Sequence, residues 1–285
     1  MVMVKRSESD LSDDSHEQQF VDAYFDACAE YWYDTYQCKD VNGIVNQLRQ
    51  TIALRYVDKM SLPKTARILE IGCGAGVMTI ALARRGFEVD AIDHSSAMIE
   101  LTKKHAKENG LENRIHAAIE DVHELTFYDQ YFDLIIAMGV AGWLHDLKKA
   151  LLEIRRVLKP GGYVILNSTH GHAVLNPLSI PLLEFFFRAR ERWAVRHNKA
   201  NAPIPHFYLA NEFNRCLSEI NFKIVEYRIV GFGPFIIKHK LFSDHLEKKI
   251  QQKLQRLADA KLPIIRTAGT QNIVLAKKVI HKVSL

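Results

Sequence analysis

The chain has 285 residues, of which 48% are hydrophobic and 25% charged, and its formal net charge is +5. This is the composition of an ordinary globular protein, which excludes collagen-like and wholly disordered chains. The four cysteines show neither a Cys-x-x-Cys pair nor a zinc-binding spacing. We therefore expect a reduced, cytoplasmic protein with no disulfide framework and no bound metal.

The sequence gives little reason to expect a membrane-spanning or nucleic-acid-binding protein. No stretch supplies the roughly twenty mainly apolar residues of a transmembrane helix, although peripheral membrane contact stays open. Basic residues are spread along the chain beside a similar number of acids, so we expect no nucleic-acid partner.

The N-terminal region divides into a polar segment and an aromatic helical segment. Residues 1–15 are rich in serine and aspartate, which is typical of a disordered tail. Residues 16–62 combine a helical pattern with many aromatic side chains, and we interpret them as a lid over an active site. Packing of the lid on the core is the alternative role for these side chains. The candidates for a substrate pocket are Tyr24, Tyr31, Trp32 and Tyr36.

Short apolar strands alternate with amphipathic helices through residues 63–285. The predicted helices cover 77–85, 96–108, 146–158 and 241–257, and the predicted strands cover 67–71, 88–93, 114–119, 132–137, 163–166, 222–230 and 272–276. Such alternation predicts an α/β domain with a parallel sheet covered on both faces. Two long intervals predict helical insertions, at 171–210 after strand five and at 234–265 before the last strand.

A glycine-rich loop with an acid before it follows the first predicted strand. The segment 70–76 reads EIGCGAG, and its glycines allow a sharp turn and close approach to a ligand at a helix N-terminus. Asp93 ends the second strand, where a carboxylate can accept hydrogen bonds from both hydroxyls of a ribose. Val77 stands where the dinucleotide fingerprint requires glycine, which disfavours a nicotinamide-dependent oxidoreductase. The alternative interpretation is that residues 72–76 form only a tight turn between a strand and a helix, and that Asp93 is a helix N-cap.

Five motifs in order, over about residues 68–168, resemble the class I S-adenosylmethionine-dependent methyltransferases. The glycine loop and Asp93 are the first two. The others are Glu120-Asp121-Val122 after strand three, the strand-four segment 132–138, and the turn at 156–162. The resemblance implies a Rossmann-like, doubly wound, mostly parallel seven-stranded sheet. It also implies S-adenosyl-L-methionine as cofactor and S-adenosyl-L-homocysteine as product.

The same resemblance implies roles for individual residues. The glycines would hold the methionine part of the cofactor, with Glu70 near its ammonium group, and Asp93 would bind the ribose. Asp121 would accept a hydrogen bond from the adenine amino group. His94 or Met98 would pack against the face of the adenine, and the alternative for Met98 is a place in the hydrophobic core. The predicted cofactor-binding set is Glu70, Gly72, Cys73, Gly74, Gly76, Asp93, His94, Met98, Glu120, Asp121, Val122, Ala137 and Met138.

Three histidines are candidates for a catalytic base. His145 follows strand four, and His170 and His172 follow strand five, so all three lie at strand carboxyl ends. Imidazole titrates near neutral pH and suits proton removal from a hydroxyl acceptor. We prefer His145 by a small margin because it follows strand four, nearest the expected methyl group. The alternative is that His145 is a structural histidine that caps the next helix.

These features predict methyl transfer to the oxygen of a small, apolar or lipid-like acceptor. The apolar segments 185–187 and 231–235 favour such an acceptor, and the N-terminal region is faintly similar to methyltransferases of ubiquinone precursors and magnesium-porphyrins. Transfer to nitrogen or carbon, or to RNA or protein, is the alternative, and a non-catalytic scaffold is disfavoured by the intact glycine and acid motifs. We predict a monomer or homodimer.

Overall fold

The computed structural model describes residues 8–169, 203, 205–232, 236–237, 240–241, 244–260, 262, 265 and 269–280. The helices in this part of the chain are α1 (Glu8–Ala27), α2 (Ala29–Thr35), α3 (Val41–Met60), α4 (Val77–Ala83), α5 (Ser96–Glu108), α6 (Leu147–Val157), α7 (Ala210–Glu219) and α8 (Asp244–Asp259). The strands are β1 (Arg67–Ile71), β2 (Glu88–Asp93), β3 (Ile115–Ile119), β4 (Phe132–Ala137), β5 (Leu158–Thr169), β6 (Phe222–Val230), β7 (Ile236–Ile237), β8 (Lys240–Leu241) and β9 (Gln271–Lys278). No helix in these ranges is long and apolar enough to cross a membrane.

A seven-stranded sheet in the order β3-β2-β1-β4-β5-β9-β6 forms the centre of the molecule. The first five strands in this order run parallel, and β9 is antiparallel to both of its neighbours. The predicted mostly parallel, doubly wound sheet is therefore confirmed. The strand order reverses between β1 and β4, and open α/β sheets bind ligands at the strand carboxyl ends beside such a reversal.

Alternate residues of the central strands pack into different hydrophobic clusters on the two faces of the sheet. Leu69 joins the cluster that contains Leu151 of α6 and Phe213 of α7. Ile68 joins the cluster that contains Tyr56 of α3 and Leu82 of α4. The second half of α3 therefore belongs to the core of the domain and holds the N-terminal region on the sheet.

Several element boundaries differ from the sequence prediction, and two of these differences affect how the sequence is interpreted. β5 begins at Leu158, before the predicted turn at 159–162, because Leu158 already pairs with Phe132 of β4. Gly161, at a φ of +76°, accommodates the turn, and the register of the pair shifts without ending the strand. α1 begins at Glu8, so residues 8–15 are helical where a disordered tail was predicted.

Candidate functional site

A cavity of about 570 Å³ lies across the carboxyl ends of the parallel strands. Its wall contains residues at the ends of β1, β2, β4 and β5 and from the N-terminal helices. Eleven of the thirteen predicted cofactor residues line it: Glu70, Gly72, Cys73, Gly74, Asp93, His94, Met98, Glu120, Asp121, Val122 and Met138. The other two lie behind this wall, Gly76 at the start of α4 and Ala137 in the core.

The glycine loop and Asp93 form one hydrogen-bonded unit. The Gly74 N–H donates to Asp93 Oδ2 at 2.8 Å, and the Ser95 N–H donates to Asp93 Oδ1 at 3.0 Å. Burial raises the pKa of Asp93, although these two backbone donors oppose the shift. Asp93 thus supports the loop as well as facing the cavity.

Gly72 turns the chain at a place where a side chain does not fit. Its φ is +65°, and an added Cβ would meet Cγ2 of Val140 in the loop after β4. Gly110 has the same φ of +65° with nothing within 4 Å of the Cβ position. The two glycines therefore share a backbone conformation and differ in their surroundings.

We expect Gly72→Ala to destabilise the fold more than Gly110→Ala. The left-handed backbone costs an alanine about 1–2 kcal/mol at either position. At Gly72 the contact with Val140 should add about 1–3 kcal/mol, as overpacking does elsewhere. Urea denaturation of the two variants measures the difference. Equal losses would mean that the Val140 contact relaxes without cost.

Glu70 is a buried carboxyl beneath the loop, 4% exposed. The Thr79 hydroxyl donates to Glu70 Oε2 at 2.5 Å. Burial raises the pKa of Glu70 to about 8, and the Asp93 carboxylate adds to this rise while the Thr79 bond opposes it. Glu70 is therefore largely protonated at neutral pH unless a cation binds beside it.

Asp121 and His123 form a close pair on the β3 side of the cavity. The His123 N–H donates to Asp121 Oδ1 at 2.8 Å, and His123 Nδ1 lies 2.6 Å from the same oxygen. The ring of His145 packs against that of His123, with centroids 3.8 Å apart. His145 Nδ1 also lies 3.3 Å from Gln18 Oε1 of α1. His145 packs behind His123 and is not among the residues that form the cavity wall.

The N-terminal helices contact the start of α5 beside Asp93. Asp26 of α1 accepts from the Ser95 hydroxyl at 2.6 Å and from the Ala97 N–H at 3.2 Å. Asp22 pairs with His94 at 3.0 Å. These contacts attach α1 to the residues that follow β2 and cover that end of the cavity.

Three of the four predicted pocket aromatics line the cavity: Tyr31, Trp32 and Tyr36. Tyr24 does not, and its neighbour Phe25 is in the wall instead. The Phe25 ring lies 5.8 Å from that of Trp32 and 5.1 Å from that of Trp143. The cavity therefore has an aromatic side built from α1, α2 and the loop after β4.

Arg49 of α3 lines the cavity, although no sequence motif points to it. Its guanidinium donates to the Tyr36 hydroxyl at 3.2 Å and to Gln271 Oε1 at 3.3 Å. Among the described residues no carboxylate pairs with it, and its Nε is buried without a partner. An added Cβ at Gly139, after β4, would be 3.7 Å from Arg49 Nη1. Arg49 thus brings to the strand ends a positive charge that no carboxylate in the described part of the chain compensates.

The other two base candidates, His170 and His172, lie outside the described residues. β5 ends at Thr169, which lines the cavity together with Asn167. Asn167 Oδ1 accepts from the Gly139 N–H, so the ends of β4 and β5 are joined at the cavity wall.

Comparison with known proteins places these features in a family. Residues 69–166 match a family described as a methyltransferase domain. The ubiquinone biosynthesis O-methyltransferase of Alkalilimnicola ehrlichii is 33% identical over 226 residues, which cover 78% of this chain and 85% of that protein. The enzyme of the same description from Coxiella burnetii is 26% identical over 158 residues, which cover 55% of this chain and only 64% of that protein.

A solved structure shows the same fold. An S-adenosylmethionine-dependent methyltransferase from Methanosarcina mazei superimposes with a TM-score of 0.54 and 21% identity, over 79% of this chain and 97% of the other. This similarity shows the fold alone, whereas the match to the Alkalilimnicola protein shows the family. The chain therefore belongs to the class I S-adenosylmethionine-dependent methyltransferases.

Proposed function

We propose that this protein binds S-adenosyl-L-methionine in the cavity and methylates an oxygen atom of a small, apolar or lipid-like acceptor. The observation that carries the proposal is the cavity itself, where the glycine loop, Asp93 and Asp121 meet at the strand ends. The bound cofactor supplies an electrophilic methyl group, so the protein's part is to bind, orient and exclude water.

The residues present fit the parts of the cofactor. Asp93 would accept from the ribose hydroxyls and Asp121 from the adenine amino group. Arg49 suits the carboxylate of the methionine part because its own charge has no carboxylate partner among the described residues. Glu70 lies beneath the glycine loop and would become ionised when an ammonium group binds near it.

Replacing Asp93 with alanine tests the cofactor assignment. We expect S-adenosylhomocysteine binding to weaken by about 1.5–3 kcal/mol, because hydrogen bonds to a charged group are lost. Asp93→Asn keeps one acceptor oxygen and should lose less. Titration calorimetry measures both affinities, with thermal unfolding as a check on the loop. Equal affinity in wild type and Asp93→Ala would remove Asp93 from the ribose site, and NADH binding in its place would overturn the cofactor.

The acceptor proposal has two supports. The aromatic side of the cavity, with Phe25, Trp32 and Trp143, suits an apolar ring or chain. The relatives from Alkalilimnicola and Coxiella are described as O-methyltransferases of ubiquinone biosynthesis. We further propose that α1 and α2 act as the lid, since Asp22 and Asp26 attach α1 beside Asp93. A cytoplasmic location and a monomeric or homodimeric state stay predictions.

The experiment is a transfer assay with methyl-labelled S-adenosylmethionine. Prenylated phenols and catechols are compared with matched anilines and with bulk RNA. We expect label in the phenols or catechols, recovered as a methyl ether by mass spectrometry. Label in the anilines or RNA alone would overturn oxygen transfer, and no label with any acceptor despite cofactor binding would overturn the proposed acceptor class.

A further inference from the structure

His123 makes two hydrogen bonds to one oxygen of Asp121. Its backbone N–H and its Nδ1 reach Oδ1 at 2.8 and 2.6 Å, which leaves Oδ2 without a partner in the described part of the chain. The hydrogen bond from the His123 side chain holds the pKa of Asp121 well below its usual range. Asp121 is therefore ionised, and Nδ1 of His123 carries the shared hydrogen.

The His123 ring is fixed by its surroundings. It is 4% exposed, and the His145 ring covers one side with a centroid distance of 3.8 Å and an interplanar angle of 34°. Its Nε2 is buried and has no partner among the described residues. Within the described ranges the bond to Asp121 is thus the one polar contact of the ring, and both residues line the cavity.

We propose that His123 is a positioning residue that orients the Asp121 carboxylate and so selects a purine with an exocyclic amine. An ionised carboxylate has no hydrogen to donate, so Oδ2 can accept from an amino group and repels an oxo group. Without the Nδ1 bond only the backbone N–H of residue 123 holds Oδ1, so the carboxylate is less firmly oriented and Oδ2 no longer has a fixed place for an amino group. This inference rests on the proposed binding of adenine at Asp121.

The test compares two ligands and two variants by titration calorimetry. The ligands are S-adenosylhomocysteine and its deaminated analogue, S-inosylhomocysteine. His123→Leu removes the ring donor, whereas in His123→Asn the side-chain NH₂ occupies about the position of Nδ1. Both variants lose the packing on His145, so His123→Asn is the matched control for that loss.

We expect wild type and His123→Asn to prefer the amino ligand by about tenfold or more, the scale of a hydrogen bond to a charged group. His123→Leu should bind S-adenosylhomocysteine about tenfold more weakly while its affinity for the inosine analogue changes little. If His123→Leu does not fold, His123→Gln replaces it, because its amide lies one bond further out and should lose the preference too.

Equal weakening of both ligands in His123→Leu would show a structural role and overturn the inference. A preference in wild type that survives in both His123→Leu and His123→Gln would do the same. If wild type binds neither ligand, the proposed cofactor site fails instead, so the two failures are distinguishable.

Discussion

Replacing Glu70 with glutamine is expected to make the protein more stable than wild type above pH 8 and about as stable near pH 4.5. Burial raises the pKa of Glu70 from an ordinary 4.5 to about 8. Between these values the folded protein keeps a proton that the unfolded chain releases. The contribution of the protonated carboxyl is thus fully present below pH 4.5 and is lost as pH rises through about 8. For a shift of this size the loss amounts to about 3–5 kcal/mol.

Urea denaturation of both proteins at pH 5 and pH 9 measures this effect. Glutamine has the shape of the protonated carboxyl and does not titrate. The free energy of unfolding of Glu70→Gln therefore lacks the pH-dependent contribution of this carboxyl. Asp90 and Asp93 also have raised pKa values, but they are present in both proteins and cancel in the difference. The pKa of Cys73, which Glu70 helps to raise, should move toward its ordinary value in the variant. Parallel pH dependence of the two proteins would mean that Glu70 is ionised in the folded state without cost.

The strands nearest the site are the elements that the sequence predicts best. β1, β2 and β4 begin and end at the predicted residues. Each is a short segment whose apolar side chains are buried in the sheet, which is the pattern expected of a strand covered on both faces. The glycine loop follows β1 and Asp93 ends β2, so their meeting at one sheet edge could be predicted from the chain. The Asp121–His123 pair could not, since it depends on the rotamers of two neighbouring residues.

The acceptor side of the cavity was predictable only in part. Adjacent residues of a helix differ by about 100° in direction, and the sequence did not show which would face inward; Phe25 does and Tyr24 does not. Arg49 belongs to no local motif, and its role comes from α3 crossing the ends of β4 and β9. His145 lies behind His123 because a short 3₁₀ helix, Ala141–Trp143, redirects the chain after β4.

That position of His145 changes which histidine we expect to act as the base. His145 contacts His123 and Gln18, whereas His170 directly follows Thr169, which lines the cavity at the end of β5. For a hydroxyl acceptor that is protonated at neutral pH, general-base help is worth roughly 10²–10⁴ in rate. We therefore expect His170→Gln to lower kcat about a hundredfold or more while S-adenosylhomocysteine affinity stays the same.

The measurement compares His170→Gln, His172→Gln and His145→Gln, with His116→Gln on the exposed edge strand β3 as the control for loss of an imidazole. The wild-type rate should rise with pH through about 6.5, which is the ordinary pKa of an imidazole. The rate of His170→Gln should not show this rise. If His172→Gln or His145→Gln shows the loss instead, the base is that residue and not His170. Near-normal kcat in all three variants would mean that the acceptor is already ionised, or gives its proton to water, and that positioning alone supplies the catalysis.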